Sequence, residues 1–284
     1  MKKFLLATAA VLASTSAYAA DYAVVHPFYT PAQGKFVSTT AFEYEHTNTH
    51  MFKDDFGRLK GSDKTFSEAV EFGVTDDIQV GLSASRTWDK MKLYDETGFM
   101  APDGGKEYIN QWKLSAGYNV INDGKTFLNV GLNYSQTVSK DGNRDPMDPE
   151  EHDMHGKYIG IEVLGGYNFD DFTAFGGIGF DRQVDINEKE VEKSKDYTLE
   201  AGVFKAFNDQ ISAQTSLAVE FDMTKGGKER NYWWNVGADY SISKKMTVGL
   251  NAAYLLRNDI REKESKGDEL HRAYRIGMDF TIEF

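Results

Sequence analysis

"HRAYRIGMDFTIEF" (His271–Phe284) closes the chain, and its residues sort into two sets by parity. Tyr274, Ile276, Met278, Phe280, Ile282 and Phe284 form the apolar set; Ala273, Arg275, Gly277, Asp279, Thr281 and Glu283 form the other. Period two places the sets on opposite faces of a strand. The run outlasts an ordinary soluble strand. It has the length of a tilted strand crossing hydrocarbon, about 9–11 residues.

Eleven earlier segments repeat the pattern: 35–47, 65–74, 78–88, 108–120, 126–138, 157–169, 172–184, 197–207, 211–223, 231–242 and 246–257. Five connections are short and carry turn chemistry, at 75–77, 121–125, 170–171, 208–210 and 243–245. Six are longer and hydrophilic, at 48–64, 89–107, 139–156, 185–196, 224–230 and 258–270. Short and long connections alternate, as in an up-and-down barrel with turns at one end and loops at the other. Pro27, Pro31, Pro102, Pro146 and Pro149 all lie outside the segments, where a missing donor breaks no ladder. The expected fold is all-β: a twelve-stranded antiparallel up-and-down transmembrane β-barrel.

Composition agrees once the barrel is considered. Mean hydropathy is −0.52, which suits a barrel because only alternate residues meet lipid. After residue 20 no apolar run reaches the length of a spanning helix. Met1-Lys2-Lys3, the apolar Phe4–Ala13 and the small-residue Ala17–Ala19 read as a cleaved secretory leader. The expected organisation is a signal peptide at 1–19, a pre-barrel segment at 20–34 and a barrel at 35–284. The chain has 32 basic and 44 acidic residues and no cysteine. Losing Lys2 and Lys3 with the leader makes the balance more negative, which excludes nucleic acid as a partner. Aromatics near the segment ends (Phe36, Tyr44, Trp88, Trp112, Tyr118, Tyr158, Phe172, Phe180, Tyr232, Trp234 and Tyr240) read as interfacial girdles.

The C-terminal stretch, with Arg275, Gly277, Phe280, Ile282 and terminal Phe284, resembles the assembly signal of Gram-negative outer-membrane β-barrel proteins of the porin-like kind. The resemblance implies that the last strand is both lipid-facing wall and an address for the barrel assembly machinery. "FSEAVEFGVTDDIQVGLSAS" (Phe66–Ser85) is loosely similar to the strand–turn–strand of outer-membrane channels in the phenol-degradation and aromatic-uptake group.

With the aromatic-rich parity facing lipid, the lumen receives Glu43, Glu45, Glu162, Asp181, Glu200, Glu220 and Asp222 at mid-height, against Lys113, Arg257 and Arg275. Such a belt is expected to attract cations at a constriction. The competing account is an ion-paired filling, with Arg275 beside Glu43 at the closure. Twelve strands lie between barrels filled by side chains and those with an aqueous channel. The inward glycines either widen the lumen or serve close packing.

The function expected is an outer-membrane channel passing small polar or cationic solutes. A closed barrel binding a surface partner through long acidic loops is the alternative, and a rim hydrolase the third. For a hydrolase, His46 with Glu45, or His271 with Asp268 and Ser265, are the pairs that could be assembled. The acidic loop at 145–155 concentrates carboxylates with His152 and His155 and reads as a solvated loop. No catalytic residue, cofactor or metal site is assigned. The expected partners are outer-membrane lipid and lipopolysaccharide, the assembly machinery and small polar solutes, with the barrel a monomer.

Overall fold

The computed structural model describes residues 26–50, 58–94, 106–141, 153–186, 193–224, 227–262 and 270–284. Twelve strands follow one another in chain order: β1 (Phe36–His50), β2 (Arg58–Gly73), β3 (Ile78–Tyr94), β4 (Lys106–Asn122), β5 (Thr126–Asp141), β6 (Met154–Phe169), β7 (Phe172–Ile186), β8 (Lys195–Ala206), β9 (Ile211–Met223), β10 (Gly227–Ser243), β11 (Met246–Glu262) and β12 (Leu270–Glu283). Each pairs antiparallel with its chain neighbours, and β12 closes on β1 from Val37↔Glu283 to His50↔Leu270. Closure satisfies the backbone without an edge, a condition for a sheet in lipid.

The short turns form where local chemistry dictates them. Asp123 Oδ1 accepts from the Lys125 and Thr126 amides at 2.9 and 2.7 Å, and Gly124 supplies the φ of 94° that turn needs. Asn208 Oδ1 accepts from Gln210 and Ile211 at 2.9 and 2.8 Å, and Thr75 Oγ1 from Asp77 and Ile78 at 3.2 and 3.0 Å.

At the other end several strands run further than the alternation does. β2 begins at Arg58 where the pattern begins at 65, and β3 ends at Tyr94 where it ends at 88. Above the hydrocarbon both faces meet water, so pairing continues while the apolar parity lapses. Within the band the outer wall is apolar: Leu82, Leu132, Ile178, Leu217, Leu250 and Ile276 are all more than half exposed. Trp88, Trp112, Trp234, Phe169, Phe172 and Tyr240 flank them. Tyr158 is a correction to the girdle, because it shares parity with Glu162. It is 8% exposed inside the barrel and accepts a hydrogen bond from Gln183 Nε2 at 3.2 Å.

The described segment His26–Pro31, ahead of β1, lies inside the barrel. A turn at 32–35, with Gly34 at φ 79°, sends His26–Pro31 into the short-turn end of the lumen, where all six residues are buried. Phe28 stacks on Phe127 of β5 with centroids 4.6 Å apart and planes 14° from parallel, beside Leu164 and Phe175. Asn119 Nδ2 donates to Thr30 Oγ1 at 2.8 Å, and the Tyr29 hydroxyl bonds the Glu283 carboxylate.

Candidate functional site

The lumen is built from one parity of each strand, and a single node organises its middle. Arg275 on β12 donates from Nε to Glu45 Oε2 on β1 at 2.9 Å and from Nη1 to Glu220 Oε1 on β9 at 3.2 Å. Glu220 Oε2 accepts the Trp233 indole N–H from β10 at 2.9 Å. The guanidinium lies over that indole, 3.9 Å from the ring centre. Ala218, Leu255 and Ala273 pack around Trp233. The base sits opposite Glu45 in the register, while Glu43 sits opposite Gly277. The expected Arg275–Glu43 neighbour is therefore corrected by one strand repeat, although Glu43 still feels the Arg275 charge.

Glu162 on β6, Asp181 on β7, Glu200 on β8 and Asp222 on β9 also face inward. The Lys113 ammonium on β4 faces Glu162 and Asp181. Ser216 donates to Glu200, and Asn235 Nδ2 donates to Ser216 Oγ at 3.1 Å. Arg257 does not join them. The β10–β11 pairing shifts register between Tyr232 and Trp233, passing from Tyr232↔Arg257 to Trp233↔Leu255. The extra residue reverses parity. Arg257 consequently points outward, with its side chain 69% exposed, and pairs with Asp259 at 2.7 Å.

Sequence reasoning also missed carboxylates, because Asp63, Asp89, Glu107, Asp196 and Glu229 lie where the apolar alternation has faded. The register aligns them. Glu45, Asp63, Asp89 and Glu107 are successive partners across β1 to β4. Asp181, Asp196, Asp222 and Glu229 are successive partners across β7 to β10. Neighbouring members of a ladder are about 5 Å apart by the strand spacing. β7 stands six places from β1 in a ring of twelve, so the ladders climb opposite walls. Together with Glu43, Glu162, Glu200 and Glu220 they place twelve carboxylates in this band. Among the described residues, Lys113 and Arg275 are the bases sharing their parity.

Three inward glycines, Gly160, Gly249 and Gly277, serve close approach. A Cβ on Gly160 would stand 2.0 Å from Asp181 Oδ1, one on Gly249 2.3 Å from Asp279 Oδ1, and one on Gly277 2.4 Å from Asn251 Oδ1. Polar side chains from the next strand lie over the gaps, so these glycines do not widen the lumen. Below the node the wall turns aromatic. The His26 ring meets Phe204 edge-on at 5.0 Å and lies 5.5 Å from Phe127, with Nε2 3.3 Å from Thr173 Oγ1. Burial there lowers the His26 pKa to about 4.

The expected rim pair of His46 and Glu45 is split between faces. Glu45 is buried inside, while the His46 ring lies 5.4 Å from that of Tyr274 on the outer wall. Asp268, Ser265, His152 and the rest of 145–152 lie outside the described residues. Asp153 pairs with Lys140 at 3.1 Å.

A sequence model for a family described as Gram-negative porin matches residues 29–260. None of the curated proteins compared with the chain matches it. Among solved structures, an outer membrane channel from Pseudomonas putida F1 superposes with a TM-score of 0.59 at 9% identity, covering 89% of this chain and 96% of that one. The translocator domain of autotransporter NalP from Neisseria meningitidis does so at 0.55 and 14%, covering 87% and 88%. The transport unit of the autotransporter AIDA-I from Escherichia coli gives 0.55 and 10%, covering 89% and 91%. At these identities the likeness is one of fold.

Proposed function

Because the chain belongs to the Gram-negative porin family and so resides in the outer membrane, we propose that it is a narrow, cation-preferring channel for small polar solutes. The observation that carries this reading is the pair of facing carboxylate ladders, a dozen inward acids in one band against two bases. An excess of one sign in a confined space raises the local concentration of counter-ions and lowers that of co-ions. Among the described residues, Asp222 Oδ1 is buried without a hydrogen-bond partner and so lies open to a solute in the lumen. The node around Arg275 shares Glu45 with the first ladder and narrows the passage at that level.

Reversal potentials across planar bilayers test the proposal. With a salt gradient at low ionic strength the barrel should favour cations. Asp63→Asn with Asp89→Asn, or Asp196→Asn with Asp222→Asn, should move the potential toward neutrality. The preference should fade as salt shortens the screening length to about 3 Å at 1 M. Anion preference in the unaltered barrel would overturn the reading.

A second reading, a closed barrel whose loops bind a surface partner, is favoured by the filled node and the buried Phe28. It would take first place if the barrel conducted no ions even after residues 20–33 were removed.

A further inference from the structure

We propose that His26–Pro31 is a displaceable plug that closes the short-turn end of the lumen. The inference rests on the channel reading and adds its regulation. Three observations carry it together: the position of the segment, the way the wall receives it, and the kind of bonds that hold it.

The segment crosses the opening. It starts from β1 and reaches Asn119 on β4, Phe127 on β5, Leu164 on β6, Thr173 and Phe175 on β7, Phe204 on β8 and the Glu283 carboxylate on β12. Contacts on strands from both sides of a twelve-membered ring leave the aperture occupied and not merely bordered.

The wall is shaped to receive it. A Cβ on Gly166 would lie 2.4 Å from two ring atoms of Phe28, and one on Gly73 would lie 2.2 and 2.3 Å from the Pro31 and Ala32 carbonyl oxygens. Phe127, Phe175 and Phe204 turn ring faces and edges into the short-turn end of the lumen. The partners they find there are Phe28 and His26. A solvated tail would need none of this.

The bonds are of a kind that can be released together. Among the described residues, the backbone-to-backbone bond within 26–31 is the local Tyr29 N to His26 O at 2.9 Å. The segment adds no ladder to the sheet. It is held by ring packing and side-chain hydrogen bonds, the Tyr29 hydroxyl on the Glu283 carboxylate among them. The base of the segment is fixed instead: Gly34 N donates to Gly73 O at 2.8 Å, Gly73 N to Lys35 O at 3.0 Å, and Gln33 N to Asp76 Oδ1 at 3.1 Å. A base pinned at 33–35, with an arm beyond it that adds no ladder bond to the sheet, is the construction of a displaceable stopper.

The test is single-channel recording of the full barrel in planar bilayers. Three variants are compared with it: one lacking residues 20–33, Phe28→Ala, and Thr30→Cys with Asn119→Cys, whose side chains already meet. Deletion should raise conductance severalfold, and Phe28→Ala should lengthen open times. The oxidised cysteine pair, in a chain with no other cysteine, should hold the channel closed until a reductant is added. If the intact barrel conducts and deletion and Phe28→Ala leave its record unchanged, the plug proposal falls while the channel reading stands. If neither the intact nor the deleted barrel conducts, although both shift with heat on gels as folded barrels do, the channel reading falls and takes the plug with it.

Discussion

The Arg275 guanidinium lies 3.9 Å from the centre of the Trp233 ring, and the indole N–H of that ring donates to the same Glu220 carboxylate that Arg275 holds. Cation, ring and acid thus close a triangle linking β12, β10 and β9, and Glu45 ties it to β1. The barrel seam at β1–β12 and the wall three strands away are joined through the lumen.

This triangle makes Arg275 a side chain whose loss should be felt in stability. Arg275→Gln would leave Glu45 and Glu220 facing each other in a mostly buried place, a loss of about 3–5 kcal/mol when one member of a buried pair is removed. The urea midpoint of the folded barrel should fall accordingly. Adding Glu45→Gln and Glu220→Gln should recover most of the loss, and a midpoint unmoved by Arg275→Gln would mean the triangle carries no load.

Facing can be read by thiol chemistry in the cysteine-free chain. Cysteine at Leu217 or Leu250, both more than half exposed on the outer wall, should resist water-soluble reagents in membranes. Cysteine at Gln214 or Asn251 should react from the lumen, and Ser216→Cys should react slowly because Glu200 and Asn235 cover that position. Labelling with the opposite parity would invert the inside and the outside.

The C-terminal aromatic should matter for assembly more than for the fold. The Phe284 amide donates to Phe36 O at 2.8 Å, a backbone bond that any side chain permits, while the ring is 62% exposed. Phe284→Ser should therefore lower the amount of heat-modifiable barrel in outer-membrane fractions. Barrel that does form should keep its twelve-stranded fold, with any loss of stability limited to the lipid contact of one ring, at most about 3 kcal/mol. Unchanged yield would remove the address role.

Acid should loosen the plug. Burial lowers His26 to about 4 from its ordinary 6.5, so the undocked segment binds the proton more readily than the docked one. Docking is then fully supported above about pH 6.5 and weakens as pH falls toward 4, by up to about 3 kcal/mol. Open probability should rise over that interval, and His26→Leu should remove this component while leaving whatever the lumen carboxylates contribute. An identical pH profile in the His26→Leu barrel would exclude the ring as the sensor.

Strand number, order and turn sites were legible in the sequence because their causes are local. Lipid on one side imposes period two on each strand, as Leu217, Val219 and Phe221 alternate with Ser216, Glu220 and Asp222, and residues such as Asp123, Asn208 and Thr75 cap their own turns. Glu43, Glu45, Glu162 and Glu200 fall on the polar parity that the alternation assigns them. Tertiary structure decided the rest. One extra residue opposite Tyr232–Trp233, invisible in a run that stays apolar through Leu255 and Leu256, turned Arg257 out of the lumen. Asp63, Asp89, Glu107, Asp196 and Glu229 became ladders only through pairing between strands, above the level where lipid writes a pattern. His26–Pro31 carries no period at all. Its place is set by rings on strands roughly a hundred or more residues away, because a site for Phe28 exists only once β5, β6 and β7 stand side by side.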